Sequence, residues 1–139
     1  MKIVLDTNIL LTIISSKSAN RNVFDSFLDE QYTLCITNEI LAEYTEIITN
    51  KMGEGVANTL VELLLEQPNV EFITRYFAWN LIHSDPDDNK FVDCAIACNA
   101  TYLVSQDRHL RMLKQIPFPK VNVLKINEFV DILNMLPKK

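Results

Sequence analysis

Short apolar runs rich in β-branched residues alternate along this chain with longer amphipathic segments, and that alternation limits its fold more than any other feature. Lys2–Leu5, Thr33–Ile36, Val70–Ile73, Tyr102–Ser105 and Val121–Lys125 read as strands. Asn20–Gln31, with Val23, Phe24, Phe27 and Leu28 on one face, reads as a helix, and no helical pattern is assigned between Asp6 and Asn20. Thr37 is the N-cap of a helix whose stripe is Ile40, Leu41, Tyr44, Ile47 and Ile48. Gly53 and Gly55 punctuate before a helix over Val56–Glu66. The run "DPDDN" opens another that reaches about Asn99, with Asp85 as N-cap and Pro86 as first residue. Arg108–Gln115 and Glu128–Leu136 complete the set. The order implies an α/β fold, a three-layer α/β/α sandwich with a mainly parallel central sheet and right-handed crossovers. With 139 residues and no linker-like tract, residues 1–139 are expected to form a single domain.

In such folds the ligand crevice lies beyond the carboxyl ends of the strands, so residues that follow strands carry the functional reading. Asp6 directly follows the first strand, and a carboxylate there is costly unless a partner meets it. Asp107 follows "YLVSQ" on the same side, where it also fits an N-cap of "RHLRML". At about 100° per residue, Glu43 falls on the flank of its helix's apolar stripe, whereas Glu39 and Glu46 point toward solvent. On the same projection Asp88 lies near the centre of the stripe Phe91, Val92, Ala95, Ile96 and Cys98, while Asp93 projects off it toward the surface. Asp85 and Asp87 are accounted for by capping and solvation. Carboxylates gathered at one crevice repel each other, and hard divalent cations relieve that repulsion. Acids without a nucleophilic Ser, Cys or His dyad point to metal-assisted hydrolysis.

Composition narrows the alternatives. The formal net charge of −5 argues against general nucleic-acid binding unless a basic patch or a bound metal reverses it locally. Arg108, Arg111 and Lys114 beside Asp107, with Lys90, Lys17 and Arg21, are the candidate cations for such a rim. No apolar run approaches the roughly 20 residues that a membrane helix needs, and no leader pattern precedes the first strand, so the expectation is a soluble, cytoplasmic protein. Cys35, Cys94 and Cys98 read as buried structural thiols in preference to a zinc site or a disulfide framework.

Three stretches together, "IVLDTNIL", "ITNEILAEYTEII" and "DPDDNKFVDCAIACNATYLVSQDRHL", resemble the PIN-domain ribonucleases, and in particular the PIN-family toxins of toxin–antitoxin pairs (VapC-like). The likeness runs through nearly the whole chain in order. It implies an acidic cluster of Asp6, Glu43, Asp88 and Asp107 holding Mg²⁺ or Mn²⁺, with endonucleolytic cleavage of RNA, a homodimeric state and a cognate antitoxin partner. The third acid rests between Asp88 and Asp93: the helical projection favours Asp88, and the resemblance fits either. "SQD" stands where family members often carry Thr-Gly-Asp, so Ser105 retains the hydroxyl without the glycine. Asn8, Ser105, Arg108, Arg111 and Lys114 are the expected substrate contacts.

Other acid-based chemistries fit less well. A haloacid-dehalogenase-type phosphatase needs a second acid two residues after the first, and Asn8 stands there. A response-regulator receiver needs an acid pair and a phosphoacceptor Asp after a later strand, which "TLCITN" does not supply. A catalytically silent PIN-like binding module and a metal-dependent DNA nuclease stay open as alternatives.

Overall fold

A computed structural model of the chain describes residues 1–75, 77–83 and 86–137. Five parallel strands form its sheet: β1 (Lys2–Leu5), β2 (Thr33–Ile36), β3 (Val70–Phe72), β4 (Tyr102–Val104) and β5 (Val123–Leu124), in the spatial order β3-β2-β1-β4-β5. Ile3, Val4 and Leu5 are all buried. A strand buried on both faces requires such an unbroken apolar run, because helices cover both sides of a parallel sheet.

Helix α1 (Thr7–Ile14) packs against α2 (Arg21–Leu28) and α3 (Asn38–Met52), α3 packs against α4 (Glu54–Glu66), and α2 meets α7 (Ile126–Asn134). Helix α5 (Asn89–Ala97) lies against β1, β2 and β4. Right-handed crossovers put α5 on the face opposite the α1–α4 group, which gives the α/β/α layering expected. The chain doubles back at β1, with β2 on one side and β4 on the other. Open α/β sheets bind ligands at such a switch point.

Helix α1 is absent from the sequence reading, and its length explains why. Its residues TNILLTII make little more than two turns, with Ile9, Leu10 and Ile13 inward and Asn8 and Thr12 exposed, so its stripe ends before it can repeat. Asp6 starts it by accepting a hydrogen bond from the Ile9 amide (2.9 Å). The helix expected over Arg108–Gln115 is α6 (Arg108–Arg111) followed by a 3₁₀ turn, Met112–Gln115. Ile116 precedes Pro117 and is extended, as steric conflict with the proline ring demands. At the other disputed boundary, Pro86–Asp88 form a 3₁₀ turn and α5 starts at Asn89. Asp85, expected as the N-cap there, lies outside the described residues.

Buried polar groups knit the layers. Asn69, ahead of β3, donates to the carbonyls of Phe27 (2.8 Å) and Tyr32 (2.7 Å), pinning the α2–β2 connection. The Tyr44 hydroxyl, on α3, donates to the carbonyl of Leu5 at the end of β1. Gly53, between α3 and α4, has φ +97°, a backbone region that a side chain would strain. The three cysteines are free, buried and part of the core, as the sequence indicates. Asn69→Ala removes both of its hydrogen bonds; the Phe27 carbonyl keeps the Glu30 amide (3.0 Å) while the Tyr32 carbonyl loses its side-chain donor, and a loss of about 1–2 kcal/mol is expected in chemical denaturation, with the denaturant slope unchanged.

Candidate functional site

The pairing of β1 with β4 sets the site's geometry. Leu5 is level with Val104, so the two residues that leave the sheet side by side are Asp6 and Ser105. Asp6 still donates its amide to the Val104 carbonyl (3.2 Å), so its backbone remains fixed by the ladder. Its carboxylate is buried, with Oδ1 taken by the Ile9 amide and Oδ2 by the Ser105 hydroxyl. Ser105 Oγ also accepts from the Asp107 amide (2.9 Å). One hydroxyl therefore ties the acid after β1 to the acid after β4. Asp107 Oδ1 caps α6 through the His109 amide (2.8 Å).

Glu43 reaches the same crevice from α3. Its Oε2 accepts from the Thr7 hydroxyl in the first turn of α1, and its Oε1 meets Lys90 Nζ at 2.6 Å. Both members of that pair are mostly enclosed, with side-chain exposures of 18% for Lys90 and 24% for Glu43. Asp88, half-buried at the 3₁₀ turn before α5, lies close to Asp107 and His109. One ligand atom from each of these three residues falls within 4.8 Å of the others.

Asp93 departs from its expected place. The projection puts it toward solvent, yet it is buried and bound to Arg75 (Nη1 to Oδ2, 2.9 Å) and to the Trp79 amide (3.2 Å). The reason lies in α5, which is covered twice. The sheet takes one face, and Trp79 and Ile82 cover another, with the Asn89 amide group exchanging two hydrogen bonds of 2.9 Å with the Ile82 backbone. A helix enclosed on two sides has no single stripe to project from. Arg75 also meets Glu39 (2.9 Å), so the Asp93 carboxylate belongs to a structural clamp between α3 and α5.

Of the remaining expected contacts, Asn8 is exposed in the first turn of α1, Arg108 and Lys114 are exposed, and Arg111 is half-buried. Ser105, expected at the substrate, is fully buried with its hydroxyl committed to Asp6 and Asp107, which makes it a positioning residue. Thr7 and His109 also belong to the cluster and were not singled out from the sequence. The signals available were a hydroxyl directly after Asp6 and a His two residues after a capping Asp.

Electrostatics favour a cation at this site. Burial pushes the Asp6 carboxyl above its ordinary range, the hydrogen bonds from Ser105 and Ile9 oppose that shift, and the nearby charges of Asp107 and Glu43 add to it. Lys90 offsets Glu43 alone. The carboxylates of Asp6, Asp88 and Asp107, with the Nδ1 or Nε2 of His109, are donors of the type that divalent ions take, so the residues present fit a divalent metal.

A PIN-domain family model matches residues 2–109 of the chain. No curated protein matches it by sequence. Among solved structures, it is similar in fold to a chain of Rickettsia felis VapBC2 bound to a DNA fragment from its promoter, at 18% identity over 90% of this chain and 98% of that one, with TM-score 0.63. DNA-bound VapBC from Salmonella typhimurium is similar at 18% identity over 91% and 98%, with TM-score 0.56. Mycobacterium tuberculosis VapC20, a sarcin–ricin-loop-cleaving toxin, is similar at 15% identity over 73% and 86%, with TM-score 0.54. At these identities the likeness to solved structures is one of fold. The family match, spanning most of the chain and taking in Asp6, Glu43, Asp88 and Asp107, carries more: this protein belongs to the PIN-domain family.

Proposed function

We propose that the protein is a metal-dependent endoribonuclease, the toxin of a toxin–antitoxin pair, that hydrolyses RNA phosphodiester bonds at the cluster of Asp6, Glu43, Asp88 and Asp107. The observation that carries this reading is the convergence of four acids from β1, α3, the turn before α5 and the end of β4 on one strand-end crevice. Asp6, Asp88 and Asp107 are the ligands for Mg²⁺ or Mn²⁺, and Asp93 is left to its clamp with Arg75. The ion supplies Lewis acidity, polarising water and offsetting charge on the phosphodiester.

The protein's own groups hold and orient. Ser105 and Thr7 fix the carboxylates of Asp6 and Glu43, so the acids need not reorganise when substrate arrives. Lys90 neutralises Glu43 and stands among the acids as a cation able to meet a phosphate. Exposed Arg108 and Lys114, on the segment that begins beside Asp107, supply further positive charge for the RNA backbone. No helix among the described residues is long and apolar enough to cross a membrane, in keeping with a cytoplasmic protein.

An antitoxin partner is supported by two of the similar structures, which are VapBC assemblies. An open apolar groove of about 690 Å³, lined in part by Ile14, Phe24, Val56, Leu60 and Leu63, suits the apolar face of an antitoxin helix. The homodimer rests on the family resemblance.

Wild type is expected to cut mixed single-stranded RNA with Mn²⁺ or Mg²⁺, and EDTA or Asp6→Asn to reduce the rate at least about 100-fold; equal cleavage by both proteins would sink the assignment. Arg108→Glu with Lys114→Glu is expected to weaken RNA binding and to flatten its salt dependence, read by titration at several ionic strengths. Stability supplies an independent check. Because the folded pKa of Asp6 is raised, its contribution is full below the unfolded value and is lost as pH rises through the folded one. Without metal, Asp6→Asn is therefore expected to stabilise the protein at neutral pH by on the order of 1 kcal/mol and not in acid. Added Mn²⁺ is expected to raise the wild-type melting temperature more than that of the variant.

A further inference from the structure

Among the described residues, His109 brings an imidazole beside the acids of this site. It occupies the second position of α6, with its amide hydrogen-bonded to Asp107 Oδ1 and its ring Nδ1 3.3 Å from that same oxygen. The short turn from Asp107 to His109 thus sets the ring against the carboxylate. Asp88 approaches from the turn before α5, and one donor atom from each of Asp88, Asp107 and His109 falls within 4.8 Å of the other two. Two chain segments far apart in sequence therefore bring two oxygens and a nitrogen to one point.

We propose that His109 is a ligand in the metal centre and that it makes the centre select a first-row transition ion, such as Mn²⁺, over Mg²⁺. The proposal rests on the metal-dependent reading above. Mg²⁺ is small, holds its water tightly and favours oxygen donors in near-ideal octahedral geometry. Imidazole nitrogen is a softer donor and suits transition ions, whose affinity for mixed nitrogen–oxygen sites increases from Mn²⁺ along the series. An all-carboxylate centre leaves Mg²⁺ and Mn²⁺ closely matched, whereas one nitrogen in the set tips the balance toward Mn²⁺. The ring reaches this role with little rearrangement, because it is already half-buried and in contact with Asp107. The alternative is that the ring only pairs with the Asp107 carboxylate and leaves metal coordination to oxygens.

The test is pulsed electron paramagnetic resonance of the full chain loaded with Mn²⁺, together with calorimetric titration of Mn²⁺ and of Mg²⁺. Wild type is expected to show ¹⁴N coupling to bound Mn²⁺, converted to the ¹⁵N pattern on labelling, and to bind Mn²⁺ more tightly than Mg²⁺. His109→Ala, with folding verified by circular dichroism, is expected to lose the nitrogen coupling and to weaken Mn²⁺ by at least about tenfold, with Mg²⁺ little changed. Bound Mn²⁺ without nitrogen coupling in wild type would overturn the ligand role of His109 while leaving the acid-cluster reading intact, and needs no variant to interpret. Absence of any Mn²⁺ binding by wild type at millimolar metal would instead remove the metal-dependent reading, and this inference with it.

Discussion

The site depends on one hydroxyl. Ser105 donates to the Asp6 carboxylate and accepts from the Asp107 amide, so the first residue after β1 and the third after β4 are held in a fixed relation. That link exists because β1 and β4 are parallel, adjacent and paired with Leu5 beside Val104. Were β4 shifted by one residue, side-chain alternation would turn Ser105 away and leave the Asp6 carboxylate without its buried donor. The strands are rigid and apolar so that two acids of like charge can be held where neither would settle alone.

Charge compensation then sorts the remaining groups. Around the crevice, among the described residues, Arg75 pairs with Glu39 and Asp93, and Lys90 pairs with Glu43. Asp93, wholly buried, pairs with a guanidinium and a backbone amide, the arrangement that a buried structural carboxylate needs. Asp6 is as enclosed as a core residue yet is matched only by neutral donors, with two other acids raising its cost. Asp6 thus differs from Asp93 in having no cation of its own among the described residues, the charge pattern expected of a carboxylate that an ion from solution would satisfy.

Much of this was legible in the sequence because the acids follow strands. Strand ends are marked by composition, and the parallel topology sends those ends to a single crevice, so Asp6 and Asp107 could be placed without coordinates. Glu43 was legible for a different reason: α3 has one buried stripe, of which Ile40, Tyr44 and Ile48 are fully buried, and a flank residue on such a helix has a defined direction. Helix α5 offers no such axis. Its N-terminal turn is 3₁₀, which breaks the 100° projection through Asp88, and its outer face is covered by Trp79 and Ile82 from a stretch without regular period. The preference for Asp88 over Asp93 rests on a helix taken as continuous and one-sided, which α5 is not. Helix α1 escaped because it is only about two turns long, with Ile9, Leu10 and Ile13 inward and Asn8 and Thr12 exposed.

What composition could not convey is where a chain of net charge −5 places its cations. The answer lies in arrangement. Lys90 follows Asp88 by two residues, and Arg108 follows Asp107 directly, so each acid that enters the crevice from a turn brings a cation with it. On the proposed reading, a divalent ion at the acids would add two more positive charges there. The local field is then set by a handful of groups within a few ångströms, while exposed acids elsewhere, such as Glu54 and Glu66, are screened by water and salt beyond about 10 Å. Net charge sets the field at long range and the cluster sets it at contact, so a chain of net charge −5 can still present cations beside its acids.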